Sequence, residues 1–443
     1  MSRETRWERR RRIANAIRKS PPEALAPPDT YAQVEIAAML RAIGIALIEV
    51  QQPTPTVTAR LMEIAARYTT EPVRVVVLPT VLMIQVGTVG YEVDETKQSS
   101  LQLDMTGRID DIAMLATAGA IAPSEAIAAI EAARVLRPRF GPIPTMFGYA
   151  ITTVGFGMII NPTWASLPGY LFLGLVVGAI TQLSRPFPSL SPILPTLSAA
   201  IVTILATWFV AATAHDGLLR VIAPALVASL PGISLTIGAM ELASSQPISG
   251  ASRLMYGIAQ LALLIFGVGL GLEIAGEVYP QPPSAQMGTW SLYAAIVVVG
   301  SGLFVYLSAP RGSLFWLMAA IGVALIGQEF AERVMSVSHS GFIGAILSVP
   351  FSMLASRIKT SPPAAVMMLA SFWALVPGAL SFESLSQAVS GGSFGIAGLG
   401  STAAAILSIA LGTLVGWSVF HTIDGRLQWW WNHNPKSLGK PVG

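Results

Sequence analysis

From residue 143 onward the chain is a succession of apolar stretches that are long enough to cross a bilayer as helices. Of the 443 residues, 53% are hydrophobic and 12% are charged, which is too apolar a composition for an ordinary soluble protein. A helix crosses the hydrocarbon core of a bilayer, about 30 Å thick, with about 20 residues. We therefore predict a polytopic α-helical membrane protein. The ten predicted spans are residues 145–160, 167–184, 193–213, 218–240, 254–275, 290–309, 313–327, 341–355, 364–382 and 401–419.

Two of these spans, the fourth and the ninth, are interrupted by a Pro-Gly pair. The first pair is Pro231 and Gly232, and the second is Pro377 and Gly378, 146 residues later. Proline removes a backbone donor and crowds the preceding turn, and glycine relaxes the backbone, so each pair marks a point where a helix opens. Opened backbone at membrane depth is tolerated only where it faces protein or a water-filled cavity. The two pairs therefore predict a secondary transporter whose substrate path passes both interruptions.

A second pair of similar segments indicates an internal repeat. The sequence VGFG at residues 154–157 is followed 145 residues later by VGSG at residues 299–302, and nearly the same offset separates the two Pro-Gly pairs. We expect two five-helix halves, at residues 143–280 and 281–425. An odd number of spans in each half places the second half upside down relative to the first, as in many secondary transporters. The alternative is a chance match between glycine-rich membrane helices.

Charged residues are concentrated before the first span. Residues 1–143 hold 33 of the 51 Asp, Glu, Lys and Arg residues. Residues 1–29 are basic and rich in proline but lack the apolar core of a signal peptide; we expect a disordered leader that either stays in solution or binds anionic headgroups. Residues 30–142 show the pattern of a small cytosolic α/β domain. Its strand-like runs are residues 73–78, 81–86, 91–93 and 101–103.

This predicted domain contains acidic residues but neither histidine nor cysteine. The usual general base and thiol nucleophile are therefore missing, which disfavours an enzyme. The carboxylates could form a site for acid/base chemistry or for a divalent cation. Alternatively, they form a solvated acidic face, and the absence of a recognised ligand spacing favours this alternative. They are Asp94, Glu95, Asp104, Asp110 and Asp111. We predict no metal site and no cofactor.

Basic residues in the connections between spans set the orientation. The connections on one side of the membrane carry most of them, and those on the other side are mainly acidic. Both termini are therefore predicted to be cytoplasmic, with residues 426–443 as a cytosolic tail. The net charge of +3 is too small for a nucleic-acid footprint. The basic residues assigned to the cytoplasmic side are Arg134, Arg137, Arg139, Arg185, Arg253, Arg311, Arg357, Lys359, Arg426, Lys436 and Lys440.

The stretch at residues 230–271 contains an LPG triplet, Glu241, SGASR at 249–253 and GVGLG at 267–271. This stretch, with the plan of an N-terminal domain followed by ten spans in two halves, resembles the threonine/serine exporter family of bacterial inner-membrane proteins. The resemblance covers about residues 31–425. It implies export of small amino acids driven by the proton gradient, and in some relatives of small dicarboxylates. It also implies that the Pro231–Gly232 interruption, Glu241 and Arg253 serve transport.

A zwitterionic substrate needs an acidic and a basic partner, and the region around the first interruption supplies both. We expect Glu241 to accept the substrate ammonium group or the coupling proton, and Arg253 to meet the substrate carboxylate. Ten residues separate Glu241 from Pro231, about 15 Å along a helix. Glu241 is therefore expected at the cytosolic end, either in a vestibule or in a solvated loop.

Further candidates lie near the interruptions. Backbone amides at both Pro-Gly pairs would add anion-binding dipoles. Ser234 or Thr236 would bind a hydroxyl group of the substrate. Glu383, six residues after Pro377, is the candidate gating or proton-carrying acid of the second half.

These features favour a transporter over other classes of membrane protein. A primary pump is disfavoured because no GxxxxGK[ST] loop occurs in the chain. A channel, which would pass current without saturable flux, stays open. So do an exporter of small dicarboxylates and a membrane protein whose cytosolic domain acts as a hydrolase or a sensor. The expected partners are a small amino acid, protons, the lipid bilayer and a second copy of the chain.

Overall fold

The N-terminal part of the chain folds into four helices and a three-stranded antiparallel sheet. The computed structural model describes residues 19, 22–88, 92–95, 101–210, 218–276, 284–375 and 396–433. The elements of this N-terminal unit are α1 (Gln33–Glu49), α2 (Thr54–Tyr68), β1 (Val73–Val77), β2 (Val81–Val86), β3 (Glu92–Glu95), α3 (Leu103–Ala118) and α4 (Pro123–Arg134).

β-Branched residues and strict alternation shape the sheet. The strands lie in the order β1-β2-β3, with Val73 opposite Val86. Leu82, Ile84 and Val86 form the buried face of β2, because successive side chains of a strand point to opposite faces. Helix α1 packs in the same hydrophobic cluster. The unit therefore has a core of its own.

One predicted strand is wrong. Residues 101–103 were expected to be extended, but Leu103 is the first residue of α3. Its side chain is fully buried in a cluster of apolar residues from the membrane helices, among them Leu307. Leu101 and Leu103 are thus apolar because they pack against the membrane helices. A local sequence pattern does not reveal such a distant contact.

The rest of the chain is helical. Its elements are α5 (Pro142–Ile160), α6 (Leu167–Ser184), α7 (Leu194–Leu205), α8 (Leu218–Ala225), α9 (Gly232–Ala243), α10 (Pro247–Ala275), α11 (Trp290–Tyr306), α12 (Leu314–Glu332), α13 (Val337–Ala355), α14 (Ala364–Ala374) and α15 (Ile396–His433). A π-helical turn at Ala206–Val210 extends α7. We call α5 to α15 the helical region.

Six helices in the described parts of this region are long and apolar enough to cross a membrane, and four other apolar helices are shorter. The chain is a polytopic helical membrane protein. The predicted bounds of two spans are too narrow: residues 313–327 correspond to α12, which ends at Glu332, and residues 341–355 to α13, which begins at Val337. In the last turn of α12, Glu332 accepts a hydrogen bond from Gln328, four residues earlier (3.3 Å).

The contact between α7 and α10 is repeated between α13 and α15. A Cβ atom added to Gly267 would meet the carbonyl oxygen of Thr196 and lie 2.9 Å from the Cβ of Ala199. Added to Gly412, it would meet the carbonyl oxygen of Phe342 and lie 2.9 Å from the Cβ of Ala345. The corresponding residues of the two contacts are 145 or 146 positions apart in the sequence.

Helices α5 and α11 cross at a reciprocal contact. A Cβ atom at Gly155 of α5 would lie 2.8 Å from the backbone nitrogen of Val299, and one at Gly302 of α11 would lie 2.5 Å from that of Thr152. In these two contacts Gly155 of α5 corresponds to Gly302 of α11, and Thr152 corresponds to Val299. Both corresponding pairs are 147 residues apart in the sequence. The segments VGFG and VGSG, noticed for their similarity, therefore belong to two helices that pack against each other backbone to backbone.

Asp29 fastens the start of the N-terminal unit to the end of α2. Its carboxylate accepts hydrogen bonds from the side chain and the backbone amide of Thr70 and from the side chain of Thr69. These hydrogen bonds hold the pKa of Asp29 below its ordinary value. Because they favour the charged form, the fastening depends on pH.

Replacing Asp29 with Asn is expected to lower the melting temperature at about pH 7 and to have less effect near pH 3. Since the folded-state pKa is lowered, the stabilisation is present above the unfolded-state pKa of about 4 and is lost as the pH falls through the folded-state value. Asn tolerates the positive φ of 64° at this position. Thermal unfolding of both proteins across this pH range measures the difference, and a gap that stays constant contradicts the prediction.

Candidate functional site

The fourth predicted span is interrupted between α8 and α9. Helix α8 ends at Ala225 and α9 begins at Gly232, so the interruption starts at Leu226, four residues before the predicted Leu230. Pro224 lies inside α8, one residue before its end. The intervening backbone forms tight turns, such as Ser229 N to Leu226 O at 2.8 Å.

Aromatic side chains from both predicted halves gather beside this interruption. The hydroxyl of Tyr149, in α5, donates to the carbonyl of Ala225, the last residue of α8 (2.6 Å). The ring of Tyr149 contacts that of Tyr306 (centroids 4.9 Å apart), which in turn lies 6.2 Å from the ring of Trp373. The indole Nε1 of Trp373 is buried without a hydrogen-bond partner among the described residues. Sequence reasoning missed this group, because aromatic residues in apolar spans look like ordinary core.

The start of α9 offers backbone donors. Pro231 is the N-cap and supplies no side-chain hydrogen bond, and the first intrahelical bond joins Leu235 N to Pro231 O (3.0 Å). The amides between them have no intrahelical acceptor. Of the two predicted hydroxyl groups, Ser234 is half-buried, and Thr236 is buried with an Oγ1 that has no partner in the described structure.

Glu241 and Arg253 form a buried ion pair. The Nε atom of Arg253 lies 3.2 Å from each carboxylate oxygen of Glu241. The exposed fraction is 0% for Glu241 and 8% for Arg253. The alternative that Glu241 lies in a solvated loop is therefore wrong: it is part of α9. A tight turn between α9 and α10 and the close packing of these helices bring the two charges together.

Gly238 and Gly250 permit that close packing. Each glycine lies one turn before a member of the ion pair. A Cβ atom added to Gly250 would lie 2.7 Å from the backbone oxygen of Gly238 and the backbone nitrogen of Leu242. The two helices thus touch through their main chains, which fixes the separation at which Glu241 and Arg253 can pair.

The N-terminal unit supplies a third partner. The backbone amide of Thr54, the first residue of α2, donates to Oε1 of Glu241 (2.9 Å). Thr54 is also buried. Nothing in the local sequence predicts this contact, because 187 residues separate its two members.

The predicted site residues fall into two groups. Glu241 stands nine residues beyond Gly232, which corresponds to about 14 Å along α9. The structure therefore separates the Pro231–Gly232 interruption, with Ser234 and Thr236, from the Glu241–Arg253 pair. Pro377, Gly378 and Glu383 lie outside the described residues.

Acidic residues of the N-terminal unit do not form a metal site in the parts of the chain that the structure describes. Asp110 is buried and forms an ion pair with Arg60, and Glu49 is held by both Arg134 Nε (2.8 Å) and Nη2 (2.6 Å). Burial raises the pKa of Asp111. The expectation of a solvated acidic face is wrong for Asp110, whose arginine partner comes from another helix.

Comparison with known proteins gives one match. A family model described as "Putative threonine/serine exporter" matches residues 38–275, more than half of the chain. The matched stretch runs from α1 to the end of α10 and contains Thr54, the first interruption and the Glu241–Arg253 pair. Neither a curated protein nor a solved structure matches the chain.

Replacing Gly250 with Ala is expected to destabilise the protein by about 1–3 kcal/mol, because the added methyl group must push α9 and α10 apart. Gly269→Ala, in the same helix, is the matched control, since a Cβ atom there has nothing within 4 Å. Thermal unfolding in detergent measures both. Equal melting temperatures for the two variants would show that the close contact does not constrain the helices.

Proposed function

The chain belongs to the threonine/serine exporter family, and we propose that it is a secondary transporter that exports a small amino acid of the threonine or serine type. Family membership carries this proposal. We place the protein in the inner membrane of a bacterial cell, with both termini and the N-terminal unit in the cytoplasm, as the basic connections indicate. Protons are the proposed coupling ion, and the chain itself carries out no catalysis.

The interruption between α8 and α9 supports a transporter. Irregular backbone at membrane depth needs protein partners or a cavity, and here the hydroxyl of Tyr149 serves the carbonyl of Ala225. Substrate sites of secondary transporters lie near such broken helices. We propose that the substrate passes the interruption between the Tyr306 and Trp373 rings and the free amides of α9. The unpartnered Nε1 of Trp373 is a donor suited to a substrate oxygen.

The repeated helix contacts support two five-helix halves of inverted topology. The same glycine-to-carbonyl contact occurs between α7 and α10 and between α13 and α15, the third and fifth predicted spans of each half. The α5–α11 contact is reciprocal, as expected where two related helices cross a pseudo-twofold axis. We place Pro377, Gly378 and Glu383 in the second half as the counterparts of the first interruption and its acid.

Glu241 and Arg253 have the chemistry of a site for a zwitterion. We propose that Glu241 binds the ammonium group or the coupling proton and that Arg253 binds the carboxylate. Oε2 of Glu241 and Nη2 of Arg253 have no hydrogen-bond partner among the described residues, so each has bonding capacity beyond the ion pair. A dicarboxylate fits less well, because its second anionic group would meet Glu241. This pair lies on the side of the membrane that holds the N-terminal unit.

Neutralising both members of the pair is expected to abolish transport without unfolding the protein. The double variant Glu241→Gln, Arg253→Gln keeps an acceptor for Thr54 and leaves no unpaired buried charge, whereas either single change leaves one and costs about 3–5 kcal/mol. We expect the double variant to melt near the wild-type temperature but to carry labelled threonine in liposomes at less than about one tenth of the wild-type rate, a loss of at least 1.4 kcal/mol. Wild-type flux in the double variant would remove the pair from the mechanism.

An imposed proton gradient is expected to drive threonine against its concentration gradient in liposomes that contain the wild-type protein. Coupled transport links the two fluxes, so a protonophore should abolish the accumulation and leave threonine at equal concentrations on the two sides. Succinate in place of threonine tests the dicarboxylate alternative. Threonine equilibration that is unaffected by the protonophore would contradict proton coupling while leaving export intact.

A further inference from the structure

The N-terminal unit holds both proposed halves of the helical region. On the first half, the amide of Thr54 donates to Glu241 (2.9 Å). On the second, the amide of Leu103 donates to the carbonyl of Leu307 (2.8 Å) and that of Asp104 to the carbonyl of Ser308 (3.2 Å). The unit therefore bridges α9 and the connection between α11 and α12.

At the first contact, Glu241 acts as the anionic cap of α2. The N-cap residue of α2, Pro53, provides no side-chain hydrogen bond to the helix. A carboxylate at a helix N-terminus satisfies a free amide and interacts favourably with the helix dipole. The sequence gives α2 no cap of its own, and the cap arrives from the helical region.

Glu241 has no exposed surface in this arrangement. Its Oε1 atom accepts hydrogen bonds from Thr54 and from Arg253. The backbone amide of Thr54 thus occupies the carboxylate to which the proposed function assigns the ammonium group. Oε2 of Glu241 could still accept another N–H donor, but the carboxylate has no exposed surface while the start of α2 lies against it, so the ammonium group cannot reach it in the docked arrangement.

We propose that the Thr54 amide and the substrate ammonium group are alternative partners of Glu241, so that the docked N-terminal unit closes the entrance on its side of the membrane. Release of the unit opens the entrance. This inference rests on the proposed function, because it assigns the regulation of the same site. The ligand that competes with Thr54 is a small primary amine with a carboxylate, and the occupant of the closed state is the start of α2.

The docked state is suited to release because some of its buried polar atoms lack hydrogen-bond partners. Three buried polar atoms at the junction have no hydrogen-bond partner among the described residues: Thr54 Oγ1, Glu241 Oε2 and Arg253 Nη2. Buried polar atoms without partners raise the free energy of the state that contains them. Undocking exposes them to water or substrate, which offsets the loss of the Thr54 bond.

Thr54→Pro removes the competing donor and little else. Thr54 is the first residue of α2, where proline is readily accepted, and Pro53 already has the extended ψ of 140° that a residue before proline requires. Thr54→Val is the matched control, because it removes the hydroxyl but keeps the amide. In inside-out membrane vesicles, we expect the KM for labelled threonine to fall about tenfold in Thr54→Pro, the factor for one buried hydrogen bond to a charged group, and to stay within about twofold in Thr54→Val.

Docking itself is measured by a disulfide between α3 of the N-terminal unit and α14 of the second half. The sequence contains no cysteine, and a Cβ atom at Gly107 in α3 would lie 3.5 Å from Cγ2 of Val366 in α14. In the variant Gly107→Cys, Val366→Cys, we expect oxidation to cross-link the docked unit and block threonine flux, with recovery on reduction. Added threonine should slow the cross-linking, and so should Thr54→Pro without any substrate.

The outcomes separate the two proposals. Threonine flux in the wild type, with the same KM in Thr54→Pro and Thr54→Val, overturns the competition and leaves the exporter proposal standing. Full flux through the cross-linked protein overturns the closed entrance. If wild-type vesicles carry neither threonine, serine nor succinate, the exporter proposal fails and the competition fails with it. A KM that falls only in Thr54→Pro, with cross-linking slowed by threonine, supports both.

Discussion

Close contact between helix backbones is the constraint on which the helical region depends. Lipid chains are as apolar as leucine side chains, so membrane helices gain by packing closely and not by hiding apolar surface. Glycine permits this at the α5–α11 crossing and at the two related contacts of α10 and α15. The contact of Gly267 with α7 has a counterpart in the contact of Gly412 with α13, at corresponding residues 145 or 146 positions apart.

The same constraint produces the candidate site. Gly238 and Gly250 let α9 and α10 touch, and the next turn of each helix then places Glu241 beside Arg253. A buried carboxylate is retained only where opposite charge and hydrogen bonds replace its hydration. Arg253 supplies the opposite charge for Glu241, and Thr54 supplies one of its hydrogen bonds. The ion pair is therefore coupled to the position of the N-terminal unit. The proposed transport site and the docking point of the N-terminal unit thus share one buried carboxylate.

Sequence reasoning succeeded where the signal is local and failed where the signal depends on distant packing. Apolar length predicted the helices, and the first Pro-Gly pair predicted the interruption near Pro231, although the interruption already begins at Leu226. Leu103 looked like part of a strand, and only its burial against Leu307 shows why a leucine is needed there. Asp110 looked solvated, and its partner Arg60 is contributed by another helix. The aromatic group of Tyr149, Tyr306 and Trp373 had no signal, because its members come from three separate helices.

The sequence by itself determined that this is a membrane protein with an α/β unit before its helical region, because apolar length and periodicity are properties of short segments. It also singled out Glu241 and Arg253, because charges are rare in such apolar surroundings. Only the tertiary structure decided that these two residues pair with each other and with Thr54. That outcome depends on which backbones approach closely, and a contact between residues 187 positions apart leaves no trace in the pattern of either segment.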